Sequence, residues 1–502
     1  MPQTSEVCLT EVHEYQKSGR IPEAIAAYES LLQQKTSLSP ADHNNLATLY
    51  ERVGNPNQAL KHYALAVHAA PDFAIAHYNL GLIFLKQNKL DAAATQFNNV
   101  LILNPEHTNA QFYQGIISLT RHELDAAEKA FQSVLAQHKE HADALANLGV
   151  IALKRDQGQQ AITYFSQALA FDEHHEDARN NLAATFMHYD RFENALTHYA
   201  LLLETYPNNL EYHYNAGVAE MMLGQLEHAT KHFELILKHT PTHHACLTNL
   251  ASIAQRLGQS HKAVDYLTQA HDVNPDDKSS QFMLDAFKHG KEQRPACPEY
   301  AQNLFDNYAL HYEKHMTETL GYSVPQHIAQ VLHQLIPSLQ VERALDLGCG
   351  TGLSGIILRE LSQHLTGVDL SPKMLAHARD KAVYDELVEA EIITYLTQLT
   401  PNNTTFDLIT AADVLPYLGD LSLLFEHVKT RLAPHGLFIV THEICDSANW
   451  MLQTTARFAH HPRYLIALAE EHGFKIVHHE SFVARKHYDD DLPVMLYALQ
   501  RP

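Results

Sequence analysis

The sequence is poor in several things that would narrow its class at once. It has no run of about 18 consecutive apolar residues, so no segment is expected to span a membrane. Cysteine is scarce: Cys8, Cys246, Cys297, Cys349 and Cys445 are scattered, odd in number and never in a CxxC pair. That excludes a disulfide framework and a cysteine-built zinc site, and it fits a reducing compartment. Positive charge is also scarce, with 36 Lys plus Arg against 58 Asp plus Glu and a net charge of −22. Tracking phosphates needs concentrated positive charge, so neither nucleic acid nor anionic lipid is expected as the main partner. Met1 to Tyr15 carries Glu6, Glu11 and Glu14 and has no basic stretch followed by an apolar run, so it does not read as a signal peptide. These absences predict a cytoplasmic protein.

What is present is ordinary globular material. Apolar residues make up 45% and charged residues 19% of 502, with 19 Gly and 20 Pro. Disorder and collagen-like classes are excluded, and a chain of this length holds about three domains and more than one core.

The first half is one unit repeated. Ala59, Ala93, Ala127, Ala161, Ala195, Ala229 and Ala263 stand 34 residues apart. Four residues beyond each comes Tyr63, Phe97, Phe131, Phe165, Tyr199, Phe233 or Leu267. Upstream, Ala47, Gly81, Gly115, Gly149, Ala183, Gly217 and Ala251 recur at the same interval. The spacing predicts helical hairpins in which small residues let backbones approach and the aromatic fills the gap between hairpins. Between the two helices, Gly54, Asn88, His122, Asp156, Asp190, Gly224 and Gly258 supply residue types that tolerate positive φ. One hairpin cannot cover its own apolar face, so the units must stack.

These residues resemble the tetratricopeptide repeat, and the resemblance covers about residues 7–290, with an out-of-register first unit at Ala24 and Tyr28 and a final solvating helix from Asp276 to His289. Asn45, Asn79, Asn147, Asn181, Asn215 and Asn249 share one repeat position. The resemblance implies that this position faces the concave wall, where an amide suits an extended peptide backbone. A satisfied interhelical amide is the alternative. On the first reading Asn147, Asn181, Asn215 and Asn249 bind a protein or peptide substrate.

Residues 291–298 are polar, hold two prolines and break the register, so the chain is expected to divide into a repeat solenoid over 1–290, a linker over 291–298 and an independent domain over 299–502. Short apolar runs at Arg343–Leu347, Leu365–Val368, Phe406–Ala411, Leu437–Thr441, Phe474–His478 and Val494–Leu499 alternate with helical segments, and a weaker strand is expected just before Glu391. That order predicts a doubly wound, mainly parallel α/β sheet of Rossmann-like type.

The first strand runs into Asp346-Leu347-Gly348-Cys349-Gly350-Thr351-Gly352. Glycines there let the backbone turn sharply against a ligand. A dinucleotide fingerprint would need Gly at position 353, which is Leu, and a P-loop would need Lys-Ser/Thr after its glycines. Asp369, at the end of the second strand, can accept both hydroxyls of a ribose.

An acidic residue two positions before GxGxG is similar to the first motif of class I S-adenosylmethionine-dependent methyltransferases. The whole chain resembles a bacterial group of predicted methyltransferases that carry tetratricopeptide repeats. The resemblance implies a seven-stranded sheet, S-adenosyl-L-methionine as cofactor, S-adenosyl-L-homocysteine as product, and no metal. It implies that Asp346, Gly348, Gly350 and Gly352 serve the methionine end and that Asp369 holds the ribose. Leu370 and Met374 would flank the adenine, and Glu391 with Ile392 would read its edge. Asp413 would face the methionyl group and substrate, and Tyr308 and Tyr312 would close over the ligand. Arg457 and Tyr464 would line the acceptor pocket. His442 and His460 are the candidates for a base, should the acceptor carry a proton. The leading expectation is a methyltransferase whose repeats recruit a protein or peptide. A small-molecule or glycan methyltransferase docked to an assembly, and a scaffold without turnover, remain open.

Overall fold

In the computed structural model, residues 9–34, 37–289, 295–336, 341–399, 405–446, 449–487 and 490–502 are described. They fall into two compact units, Met1–Pro207 and Asn208–Pro502.

The first unit is built from helical hairpins. Its paired helices are Leu9–Lys17 with Ile21–Gln33, Pro40–Arg52 with Pro56–Ala69, Ala74–Lys86 with Leu90–Leu103, Thr108–Thr120 with Leu124–Gln137, Ala142–Lys154 with Gly158–Phe171, and Glu176–His188 with Phe192–Thr205. Asn88, His122, Asp156 and Asp190 turn the hairpins with φ of 57°, 61°, 58° and 54°, at the positions the spacing picks out.

The aromatic packs differently from the expectation. Each of the Phe rings lies first over the glycine of its own hairpin. A Cβ added to Gly81, Gly115 or Gly149 would stand 2.8, 2.8 or 2.5 Å from Phe97, Phe131 or Phe165. The rings then reach the next hairpin, as where Phe97 stacks on Tyr113 at 5.3 Å. The small position is Gly wherever the ring is Phe, and Ala wherever it is Tyr or Leu.

Histidines begin several of these helices. His107, His141 and His175 each accept a hydrogen bond through Nδ1 from the backbone N–H three residues on, at 3.2, 3.3 and 3.3 Å. An unprotonated imidazole thus does the work usually given to Ser or Asp at a helix start.

The second unit starts with two more hairpins, Leu210–Met222 with Leu226–His239 and His244–Arg256 with Ser260–Val273, and a last repeat helix, Lys278–His289. Of the expected linker, residues 291–294 lie outside the described residues, and Pro298 already opens the helix Pro298–Lys314. Phe282 and Ala286 of the last repeat helix share one core with Tyr300, Leu452, Ala456 and Phe458. Apolar packing therefore runs from the repeats into the α/β part of this unit.

The α/β part holds β1 (Val341–Leu347), β2 (Ser362–Asp369), β3 (Glu386–Glu389), β4 (Phe406–Ala411), β5 (Leu432–Glu443), β6 (Trp450–Leu452), β7 (Phe458–His460), β8 (Lys475–His487) and β9 (Asp490–Gln500). Seven strands form one sheet in the order β3-β2-β1-β4-β5-β9-β8, parallel from β3 to β5 and antiparallel through β9 and β8. Leu345 and Leu347 feed the core on one face, and Ala344 with Leu365 feeds the core on the other. The weak third strand exists but is only four residues long. The separate β6–β7 hairpin has no counterpart in the sequence reading. Among the described residues no helix is long and apolar enough to cross a membrane.

Replacing an exposed helical Gly by Ala stabilises a helix by about 1 kcal/mol. Gly149→Ala should do the opposite, lowering stability by about 1–3 kcal/mol because its Cβ meets the Phe165 ring. Adding Phe165→Leu, the partner that Ala251 already has, should restore most of the loss in urea denaturation.

Candidate functional site

Ligands of doubly wound sheets bind at the carboxyl ends of the strands, where the strand order reverses. Here that point lies between β1 and β4, and a cavity of about 660 Å³ opens there. Gly348, Gly350, Asp369, Leu370, Met374, Glu391, Ile392, Asp413 and Tyr312 line it, so most of the residues expected to hold the cofactor meet at one place.

The loop after β1 is pinned from β2. The backbone N–H groups of Gly348 and Cys349 donate to the Val368 carbonyl at 2.8 and 3.0 Å. Gly350 N–H donates to Asp369 Oδ2 at 2.8 Å, and Ser371 N–H donates to Asp369 Oδ1 at 2.9 Å. Burial pushes the Asp369 carboxyl up, while these backbone donors pull it down. Gly348 has φ of +66°, and a Cβ there would stand 1.9 Å from Val414, so this position cannot carry a side chain.

Three expected ligand residues sit behind the wall rather than on it. Asp346 is 1% exposed and accepts hydrogen bonds from the Tyr384 hydroxyl and from Thr410 Oγ1, both at 2.8 Å. Burial pushes its carboxyl up to about 6 against the pull of those two donors. Gly352 makes room for the same tyrosine: a Cβ on Gly352, Gly355 or Gly367 would meet the Tyr384 side chain at 3.1, 2.2 or 2.8 Å. Tyr384 is thus a site residue that the sequence reading missed, and the three glycines are its trace. Tyr308 contacts His315 Nδ1 instead of lining the cavity. Glu391 lines the cavity but also caps the helix Ile392–Gln398, accepting from the N–H groups of Ile393 and Thr394 at 3.0 and 2.7 Å.

The helix Pro298–Lys314 closes one side through Ala301, Phe305 and Tyr312. It is tied to the loop after β2 where Ser371 Oγ donates to Asp306 Oδ1 at 2.5 Å, and Lys381 pairs with Glu313.

Arg457 is likewise one layer back. Its Nε donates to Glu443 Oε1 at 2.6 Å and its Nη2 to Asp413 Oδ1 at 3.0 Å, while Nη1 donates to the Tyr417 hydroxyl. Arg485 stands 3.8 Å from Asp413 Oδ2 and 3.9 Å from Glu443 Oε1. The guanidinium of Arg457 therefore orients Asp413 and Tyr417, which do line the cavity. The Tyr464 hydroxyl donates to Asp420 Oδ1 at 2.9 Å and accepts from Leu421 N–H at 3.1 Å. It positions Asp420, another lining residue.

Neither candidate base reaches the cavity lining. His442 is 1% exposed, donates from Nδ1 to the Glu443 carbonyl at 2.9 Å, and is pushed down to about 3 by burial. His460 is 0% exposed, donates from Nε2 to the Gly419 carbonyl at 2.9 Å, and is pushed down to about 4 by burial. Among the described residues no group of three or more His, Cys, Asp or Glu is placed to hold a metal ion. In the repeats, Asn147 and Asn181 of the first unit and Asn215 and Asn249 of the second are half-buried. The Asn147 amide donates to the Asp143 carbonyl at 2.8 Å, and Asn249 hydrogen-bonds Tyr214.

Residues 345–438 match the methyltransferase domain family. Residues 44–107, 81–132, 114–176, 152–216 and 244–277 match tetratricopeptide repeat families. The chain is similar to the trans-aconitate 2-methyltransferase of Escherichia fergusonii, 36% identical over 121 residues, which is 24% of this chain and 44% of that protein. It is also similar to the biotin biosynthesis bifunctional protein BioHC of Saccharophagus degradans, 28% identical over 162 residues, 32% of this chain and 27% of that protein. The chain thus spans less than half the length of either relative. Among solved structures, a tetratricopeptide repeat protein from Parabacteroides merdae aligns with 15% identity and a TM-score of 0.36 over 49% of this chain and 97% of that one.

The buried histidines set a pH dependence. A group whose folded pKa lies below its unfolded value contributes stability that is present above the unfolded pKa, near 6.5, and lost as pH falls through the folded one. For His460, with its pKa pushed down to about 4, the loss across that window is on the order of 3 kcal/mol. His460→Gln keeps a donor for Gly419, so its melting temperature should fall less steeply between pH 7 and 5 than that of the parent chain.

Proposed function

We propose that this chain, which carries tetratricopeptide repeats and a methyltransferase domain, transfers a methyl group from S-adenosylmethionine to a protein or peptide brought to it by the repeats. The observation that carries the cofactor assignment is Asp369. It lines the cavity at the end of β2, its Oδ2 and Oδ1 held by the N–H groups of Gly350 and Ser371, and a carboxylate so held by backbone donors can still accept from ribose hydroxyls. The other residues fit the group as well. Leu370, Met374 and Ile392 offer apolar surface for a purine, and the acidic wall suits a ligand bearing a sulfonium and an ammonium.

When bound, that cofactor supplies a methyl group already activated by positive sulfur. The protein's own part is to bind, orient and keep water out, and orientation of this kind is worth about 7–11 kcal/mol. Phe305 and Tyr312 cover the cavity from the helix Pro298–Lys314. Arg457 holds Asp413 and Tyr417 in register with it. His442 and His460 are hydrogen-bonded to the backbone away from the cavity, so the proposed reaction uses no histidine base.

The wall also bears on the acceptor. Asp369, Glu391, Asp413 and Asp420 line the cavity, and among the described lining residues there is no Lys, Arg or His. A tricarboxylate such as the one named for the Escherichia fergusonii relative would find no cationic residue on that lining to pair with. A neutral or cationic acceptor needs no such partner, whether it belongs to a protein or to a small molecule, and the protein or peptide reading is supported instead by the tetratricopeptide repeats.

Asp369→Ala should weaken S-adenosylhomocysteine binding by about 10- to 150-fold, the loss of a charged acceptor for two hydroxyls. Calorimetry with unchanged affinity would remove the ribose assignment. For the acceptor, tritiated methyl transfer into a lysate should label macromolecules and leave added trans-aconitate unlabelled. Changing Asn147, Asn181, Asn215 and Asn249 together to Ala should abolish that labelling and spare cofactor affinity. Labelling at the parent rate by a folded fourfold variant would make the asparagines structural.

A further inference from the structure

Besides its ties to Ser371 and Lys381, the helix Pro298–Lys314 faces two parts of the second unit that bear on the site. One is the cavity, through Ala301, Phe305 and Tyr312. The other is the end of the repeats, through Tyr300, whose hydroxyl is hydrogen-bonded by Gln255 of the helix His244–Arg256. Phe282 of the last repeat helix lies where the two meet. It is 9% exposed, with its ring 5.0 Å from Tyr300 and 6.0 Å from Phe458. Phe458, in β7, lies edge-on to Trp450 of β6 at 5.7 Å, and Trp450 lines the cavity. One repeat side chain therefore stands a single residue away from two walls of the cavity, by way of Tyr300 to the helix and Phe458 to Trp450. The polar contact beside it is weaker support. Lys278 Nζ donates to Glu299 Oε1 at 2.7 Å, but both side chains are more than half exposed, and such pairs contribute little.

We propose that Phe282 is a positioning residue for the cofactor cavity, so that the last repeat helix is a working part of the methyltransferase site. The proposal rests on the cofactor reading given above. Interiors are close-packed and transmit displacement instead of absorbing it. Without the Phe282 ring, Tyr300 and Phe458 lose a common neighbour and settle into the space it leaves. The helix carrying Phe305 and the hairpin carrying Trp450 then shift with them. Coupling of this kind is reciprocal: whatever fills the cavity also holds Phe282 in place.

The chain permits a clean test because Trp450 is the one tryptophan in this sequence. Phe282→Ala should raise acrylamide quenching of Trp450 in the ligand-free protein and weaken S-adenosylhomocysteine binding about tenfold. Phe282→Leu, which keeps an apolar filler, should stay near the parent chain in both. A Phe282→Ala chain with parental circular dichroism, parental quenching and affinity within about twofold overturns the proposal. Should that variant fail to fold, hydrogen exchange of the parent decides: S-adenosylhomocysteine should slow exchange over 282–288, and unchanged exchange there overturns it. A parent chain that binds no S-adenosylhomocysteine refutes the cofactor reading, whereas the ligand-free quenching comparison still decides the role of Phe282.

Discussion

Burying carboxylates side by side at one edge of a sheet is the constraint from which the rest of the site follows. Asp346 belongs to β1, Asp369 ends β2, Glu443 ends β5, and Asp413 stands just beyond β4, so neighbouring strands bring acid to the same edge. An ionised group out of water costs several kcal/mol unless its partners are in place. The fold supplies a different remedy for each. Backbone N–H groups serve Asp369, Tyr384 and Thr410 serve Asp346, and one guanidinium bridges Asp413 and Glu443. Where the partner is backbone, the carboxylate keeps capacity toward the cavity. Asp346 and Glu443, held by side chains, become part of the frame, whereas Asp413, also held by a side chain, still lines the cavity.

This also explains which parts of the site could be read from residues alone. The repeats were legible because their period is local and their turn residues recur, down to positive φ at Asn88 and Asp190. The glycine loop and Asp369 were legible because strand, turn and acid follow each other within a short stretch. Tyr384, Arg485 and the second layer around Asp413 were not, since each meets its partner from a distant part of the chain. Arg457 and Tyr464 stand behind residues of the cavity lining, and a linear motif cannot say whether a side chain faces the cavity or holds a residue that does. Glu391 carried a double signal, an acid beside the adenine in one reading and a helix cap in the other, and only the cap leaves a mark on nearby backbone geometry.

The boundary between the halves teaches the same lesson. A polar stretch with prolines reads as a hinge between independent cores, yet Phe282 and Ala286 pack with Tyr300 and Phe458 across it in sequence. Composition reports how the backbone of a connection behaves. It is silent on what the flanking elements do once folded, because that depends on apolar side chains spaced too irregularly to form a pattern. The last repeat helix would read as a solvating end, and its apolar face is instead used.

The histidine caps carry a consequence of another kind. His107, His141 and His175 accept helix N–H groups through Nδ1, which is feasible only while that nitrogen keeps its lone pair. Protonation would remove the acceptor and set a cation against the positive end of the helix dipole, at about 1 kcal/mol per lost cap. These three caps open the first helices of three successive hairpins, so one acceptor geometry repeats at neighbouring junctions. A serine or aspartate in the same place accepts whichever way it is turned, whereas each of these junctions rests on the one ring nitrogen that keeps its lone pair.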